Sequence, residues 1–320
     1  MIILFYLALT IAFIVTSTAK YKIHPFLVLI FASLIMGFMG GLEPNIILKT
    51  LSEGFGNTLK SIGIIIAGGS IIGVFLEKTR AAQSIAEKIV KIVGDSNSSL
   101  AMNLTGGIVS IPVFCDSGFV ILSSLNNAIN KKTKISLAIL GTSLAAGLYT
   151  THVFVPPTPG PLAAASILGA NVGLVLLYGL IIAIPVSLVG WFWSVFYCSK
   201  FSIHQENENE VGLKKENNEI PKTYKSILPI IMPILLITTK SIIEHPSITI
   251  NNQFINNIIL FLGHPIIAIL VGVIFAMTIP KTLSKKLKFN WVSKALESAG
   301  GIILITGAGG AFGNILRKTS

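Results

Sequence analysis

Charge is scarce in this sequence. Asp, Glu, Lys and Arg make up 12% of its 320 residues against 52% hydrophobic, and the mean hydropathy is +0.79. A chain so composed cannot clothe a soluble globule, which excludes one or two water-soluble domains. Cysteine is nearly absent too. Cys115 and Cys198 both lie in or beside apolar segments, which excludes a disulfide framework and any CxxC metal or redox motif. No HExxH and no paired-aspartate motif appears, so neither an intramembrane hydrolase nor any other enzyme is expected, and no metal and no cofactor. The GxGxxG-like run at Gly307 to Gly313 follows no soluble strand and is not a nucleotide site. The net charge of +11 sits in short clusters between long apolar runs. That distribution argues against nucleic acid and reads as a set of topology signals.

What is present is membrane-spanning sequence. A hydrocarbon core of about 30 Å needs roughly 20 apolar residues per helix, and the runs at 2–19, 26–42, 58–76, 171–197, 226–243, 255–279 and 299–316 qualify. No Lys or Arg precedes the first run, while Lys20 and Lys22 follow it, so it reads as an uncleaved first helix with an outside N-terminus. Lys and Arg gather in 20–25, 77–98, 129–134, 199–225 and 280–294, whereas 151–170 and 245–254 hold none. Basic loops stay in the cytoplasm. Both loops flanking 100–128 are basic, so that segment is expected to enter and leave from the cytoplasm as a re-entrant hairpin.

The chain also repeats itself. At a shift of 240 residues, His24-Pro25 meets His264-Pro265, and residues 62–79 (IGIIIAGGSIIGVFLEKT) align without gaps to 302–319 (IILITGAGGAFGNILRKT), sharing Gly69/Gly309, Gly73/Gly313 and the closing Lys-Thr. The helix after His24 is expected to run outward and that after His264 inward, so the two copies are inverted, a construction used by alternating-access transporters. The expected organisation is a first repeat over 1–198, a cytoplasmic hydrophilic linker over 199–225 and a second repeat over 226–320. The second copy reaches Ser320 without counterparts for 100–128 or 135–170, and is therefore expected to be incomplete. The paired glycines, spaced GxxxG, read as helix-packing positions. His24 and His264, each before a proline, read as interfacial caps, and His204 and His245 as loop residues.

Two segments are too irregular for simple spans. The first, Gly106 to Phe119, carries Asp116 between Pro112 and Gly118. A carboxylate at membrane depth costs roughly 2.5–3.5 kcal/mol and by default marks a function. A broken helix there frees backbone groups that only a cavity lining tolerates, and the restarted helix aims its N–H groups and positive dipole end at an anion. A plainer alternative is that Asp116 or Ser117 caps the helix running to Ala128. The second segment, Leu148 to Pro161, holds four prolines in six residues and cannot be continuous helix. Candidate ligand contacts across the two are Ser110, Asp116, Ser117, Gly118, Thr150, Thr151, His152 and Thr158. Asp116 and His152 are the candidates for proton coupling, since imidazole titrates near neutral pH.

GGIVSIPVFCDSGFVIL (106–122), VPPTPGPLAAA (155–165) and AGGIILITGAGGAFGNILR (299–317) closely resemble motifs of the gluconate permease (gluconate:proton symporter) family, in order and along essentially the whole chain. The resemblance implies an all-α polytopic bundle of the ion-transporter superfamily, with inverted repeats, in the bacterial inner membrane. It implies symport of gluconate or a related small hydroxylated carboxylate with protons by alternating access. Members of that family are typically longer, so the resemblance also allows a truncated, non-transporting fragment or half of a split permease. The expected partners are the carboxylate, protons and the lipid bilayer, with a homo-oligomer or a complementary C-terminal fragment as the protein partner.

Overall fold

A computed structural model describes residues 2–203, 220–244, 252–280 and 284–319. The middle of the expected linker, most of the loop at 245–254, and with them His204 and His245, lie outside those residues. The described chain is all-helical: α1 (Ile2–Val15, continued by a π turn to Lys20), α2 (Pro25–Met39), α3 (Pro44–Lys78), α4 (Ala81–Val93), α5 (Ser98–Val109), α6 (Cys115–Thr133), α7 (Leu137–Phe154), α8 (Pro159–Leu168), α9 (Val172–Tyr197), α10 (Thr223–Ile243), α11 (Gln253–Leu262), α12 (Pro265–Thr278) and α13 (Lys285–Thr319). Among the described residues six helices are long and apolar enough to cross a membrane, or up to seven if α11 and α12 are one bent span. The chain is a multi-pass membrane protein.

Two apolar runs are only parts of much longer helices. α3 and α13 have 35 residues each, about 52 Å at 1.5 Å per residue, well beyond a hydrocarbon core of roughly 30 Å, so they tilt or project past it. Hydropathy hides the first half of α3 because Lys49, Glu53 and Lys60 interrupt it on an exposed face. Periodicity reveals it: Ile47, Thr50, Gly54, Thr58, Ile62, Ile65, Gly69 and Ile72 form one buried stripe at helical spacing. The expected span at 255–279 is instead bent by 68° between α11 and α12. His264 is extended there (ψ 129°) and Pro265 starts α12, as the residue before a proline prefers. His264 sits at the N-cap of α12 without a side-chain bond, while His24 caps α2, its Nδ1 accepting from the Phe26 N–H at 3.3 Å.

α3 and α13 pack along each other in opposite directions. Asn314 Nδ2 donates to Thr50 O at 2.9 Å at one end. At the other end the rings of Phe75 and Trp291 meet edge-on, 5.2 Å between centroids. Midway, a Cβ on Gly63 would meet Ile303 at 4.0 Å. Gly63 and Ile303 stand 240 residues apart, the shift at which residues 62–79 align with 302–319. The crossing is close because Gly54 and Gly310 remove side chains: a Cβ on Gly54 would lie 2.8 Å from Gly310 O.

The hairpin closes on itself at its base. Asp95, just before α5, forms an ion pair with Lys132 near the end of α6, so the chain enters and leaves α5–α6 on one side. Other ends expected in the cytoplasm meet as well: Ser136 Oγ donates to Phe201 O at 2.6 Å, and Ser84 Oγ donates to Pro221 O at 2.7 Å. Ends expected outside meet each other, Arg317 Nη1 donating to Ile167 O at 3.2 Å. Arg317 and Lys318 thus lie at the end of α13 opposite its basic start, a local departure from the charge pattern. Single cysteines replacing Ser96 and Lys132 are expected to react with a membrane-impermeant maleimide from the same face of sealed vesicles. Reaction from opposite faces would refute the hairpin.

α5 lies tightly along α7. A Cβ on Gly147 would overlap the Asn103 carbonyl, and one on Gly106 would lie 2.8 Å from Leu148 N. Thr151 Oγ1 donates to Gly107 O at 2.8 Å, and the buried Asn103 amide donates to Ser143 O at 3.0 Å while its oxygen accepts from Ser187 Oγ of α9 at 2.6 Å. Small residues and buried polar bonds of this kind hold helices together where the surrounding lipid removes the hydrophobic drive.

Candidate functional site

Two interruptions meet at one place on α3. Between α5 and α6 the backbone turns through Ser110–Phe114 and restarts at Cys115. Between α7 and α8, Val155 is extended (φ −114°, ψ 118°), Pro156-Pro157 is cis and Thr158 is the N-cap of α8. Pro159 and Pro161 fall in the first turn of α8, where a missing N–H costs nothing. Gly69 and Gly73 of α3 admit both breaks: a Cβ on Gly69 would lie 3.3 Å from Pro157, and one on Gly73 2.6 Å from Pro112 O. These two glycines therefore seat the broken segments against α3. Their counterparts behave differently, since Gly309 faces open space and Gly313 sees Ile167 only at 3.7 Å.

A narrow cavity remains where the breaks meet, lined by Ser70, Pro112, Phe114, Pro157, Thr158 and Pro159, with other residues from the same segments. A second, apolar cavity adjoins it, with Pro112 and Pro157 in the lining of both.

Of the expected contacts, Thr158 lines the cavity and is buried, its Oγ1 donating to Val155 O at 2.6 Å. Ser110 is fully buried and holds the turn through Oγ to Val113 O at 3.3 Å. Thr150 donates to Ala146 O at 2.7 Å and Thr151 to Gly107 O. All four spend their hydroxyl hydrogens on carbonyls, leaving only lone pairs for a ligand. Gly118 is buried against Leu148 of α7, and Ser117 is half-buried.

Asp116 and His152 are brought together. The His152 ring lies edge-on to Phe114, 6.2 Å between centroids, close enough to Asp116 to feel its charge. Its Nδ1 is buried with no hydrogen-bond partner. Asp116 is exposed on the flank of α6, near the exposed Tyr149 of α7, and accepts from Cys115 Sγ at 3.6 Å. The N-cap of α6 is Phe114, and no side chain caps it. Neither Asp116 nor Ser117 therefore performs the capping role that the plainer reading gave them.

Sequence reasoning missed Ser70. It is 4% exposed, its Oγ has no partner among the described residues, and it lines the cavity. One hydroxyl in an apolar helix is a weak sequence signal. What makes it conspicuous is the lack of the usual bond back to its own helix, which Thr58 and Ser61 of α3 both make.

Comparison with known proteins agrees with the fold. The family model described as GntP family permease matches residues 2–320. The chain is 35% identical to an "Uncharacterized permease" of Haemophilus influenzae over 94% of this chain and 64% of that protein. It is 32% identical to the D-serine transporter DsdX of Escherichia coli K12, over 98% and 71% respectively, and 28% identical to a gluconate permease of Pseudomonas aeruginosa, over 96% and 69%. The chain thus spans about two thirds of the length of these curated relatives. With this family model covering it from end to end, an all-helical bundle of apolar spans and two broken segments seated on one helix, the chain belongs to the GntP family of permeases.

Proposed function

We propose that the chain belongs to a secondary transporter that carries a small hydroxylated carboxylate inward across the bacterial inner membrane together with protons. The single observation that carries this reading is the meeting of two broken segments around one cavity on α3, with Asp116 two residues beyond the lining residue Phe114 and the His152 ring edge-on to Phe114. Irregular backbone at membrane depth is tolerated where it lines a cavity or is buried in protein, and intramembrane ionisable residues mark ion or proton pathways. Relatives named for gluconate and for D-serine share a carboxylate and a hydroxyl, which suits a site built from hydroxyls and helix starts. Within this reading residues 1–198 form the first repeat, 199–225 the linker and 226–320 part of a second, inverted one. The antiparallel pairing of α3 with α13 about Gly63 and Ile303 supports that symmetry.

Proton coupling has a physical basis in the placement of Asp116. The start of α6 attracts an anion, while the Asp116 carboxylate in the same turn repels it. Proton binding removes the repulsion, so anion and proton bind cooperatively, and linkage makes the effect reciprocal.

The test is uptake of radiolabelled gluconate, other aldonates and D-serine by sealed vesicles under an imposed inward proton gradient. A full-length relative carrying Cys115-Asp116-Ser117 and the Pro156-Pro157 segment is the host. Accumulation of one of these acids that collapses with the gradient is expected. Uptake that ignores the gradient would contradict symport, and transport of none of them would contradict the substrate class.

A further inference from the structure

The cavity between the breaks is electrostatically one-sided. On the α5 side the exposed carbonyls of the helix end are used: Gly106 O accepts from Ser110 N, Ile108 O from Ile111 N and Val109 O from Val113 N, and Gly107 O accepts from Thr151 Oγ1. On the α6 side the first intrahelical bond runs from Gly118 N–H to Phe114 O at 2.9 Å, so the N–H groups of Cys115, Asp116 and Ser117 precede the ladder and no side chain caps them. α8 also begins at the cavity, with Thr158 as N-cap and its side chain not used as a cap. The start of α6 thus offers three N–H groups and that of α8, where Pro159 and Pro161 have none, only that of Gly160, opposite an α5 end whose carbonyls are already satisfied, which favours an anion over a cation.

Ser70 supplies the independent observation. Its hydroxyl is buried in α3, opposite both helix starts, and has no partner among the described residues. A buried hydroxyl without a partner is costly, and one on the wall of a cavity is satisfied by what enters it. We infer that Ser70 is a ligand-contacting residue, whose hydroxyl donates to a carboxylate held between the starts of α6 and α8. The transport reading enters only in naming gluconate as the carboxylate. Asp116 follows the lining residue Phe114 by two positions, with Cys115, Tyr149 and His152 near its carboxylate.

The experiment uses Ser70→Cys in a Cys115→Ala/Cys198→Ala background of this chain, in membranes. Two methanethiosulfonate reagents of similar size are compared, one bearing a sulfonate and one a quaternary ammonium, each rate divided by that reagent's rate with free cysteine. The sulfonate reagent is expected to react about tenfold faster or more, in the range that local potentials produce. Equal rates, a preference for the cation, or no reaction with either would overturn the inference. D-gluconate is expected to slow the reaction. Anion preference without protection would keep the anion site and remove gluconate as its ligand. Ser70→Ala is expected to keep or raise the melting temperature of the ligand-free protein, because it deletes an unpaired group. A clear drop would assign the hydroxyl to the fold and overturn the proposal.

Discussion

Replacing Asp116 with asparagine is expected to leave the protein folded in the membrane and to lower gradient-driven accumulation by about tenfold or more, the scale of a coupling free energy of 1–3 kcal/mol. Asparagine keeps the shape and the hydrogen-bonding capacity but cannot bind the proton that relieves repulsion at the start of α6. Because Asp116 is exposed and caps no helix, little stability should be lost. Exchange of substrate across vesicles without a gradient should persist, since it needs no net proton movement. The measurement is paired accumulation and exchange in the full-length relative carrying the same motif. Unchanged accumulation with an unchanged pH dependence would remove Asp116 from the coupling mechanism.

Gly147→Val is expected to be the most damaging single change in the α5–α7 unit. A Cβ there would overlap the Asn103 carbonyl and lie 2.9 Å from Gly107 N, and both are backbone atoms that cannot rotate aside. Overpacking typically costs about 1–3 kcal/mol where side chains can adjust, so a clash with backbone should exceed that range. Separating the two helices would also break the Thr151 to Gly107 bond and expose the Asn103 amide network. Size-exclusion chromatography and thermal melting of the purified chain should show loss of folded protein. Gly300→Ala in α13, where a Cβ meets nothing within 4 Å, is the control and should be neutral or stabilising by up to about 1 kcal/mol. A Gly147→Val protein melting like the wild type would show that α5 and α7 do not cross as described.

The sequence told most where chemistry is expensive and least where geometry is shared. Asp116 stood out because a carboxylate in an apolar stretch needs a reason, and the Pro156-Pro157 break because proline cannot continue a helix. Both lie beside the cavity. The basic segments on either side of 100–128 lie close together, the Asp95–Lys132 pair joining the two ends of the hairpin. The length of α3 and α13 escaped a hydropathy reading because it averages over faces, whereas the buried stripe from Ile47 to Ile72 is a matter of phase. The bend between α11 and α12 was legible in His264-Pro265 and was overridden by the apolar run on either side. Thr150, Thr151 and Thr158, expected as ligand contacts, give their hydrogens to carbonyls, an allocation that depends on neighbours three or more residues away or on another helix. Ser70 could not be singled out for the converse reason, because its importance lies in the partner it lacks.

The central claim is that a ligand binds where the two broken segments meet on α3. A structure determined in lipid with D-gluconate bound tests it most directly. The account predicts ligand density between Phe114, Thr158 and Ser70, with the carboxylate at the starts of α6 and α8 and within hydrogen-bond distance of Ser70 Oγ. Gluconate bound elsewhere, with this cavity closed and Ser70 Oγ still unpartnered, would contradict it.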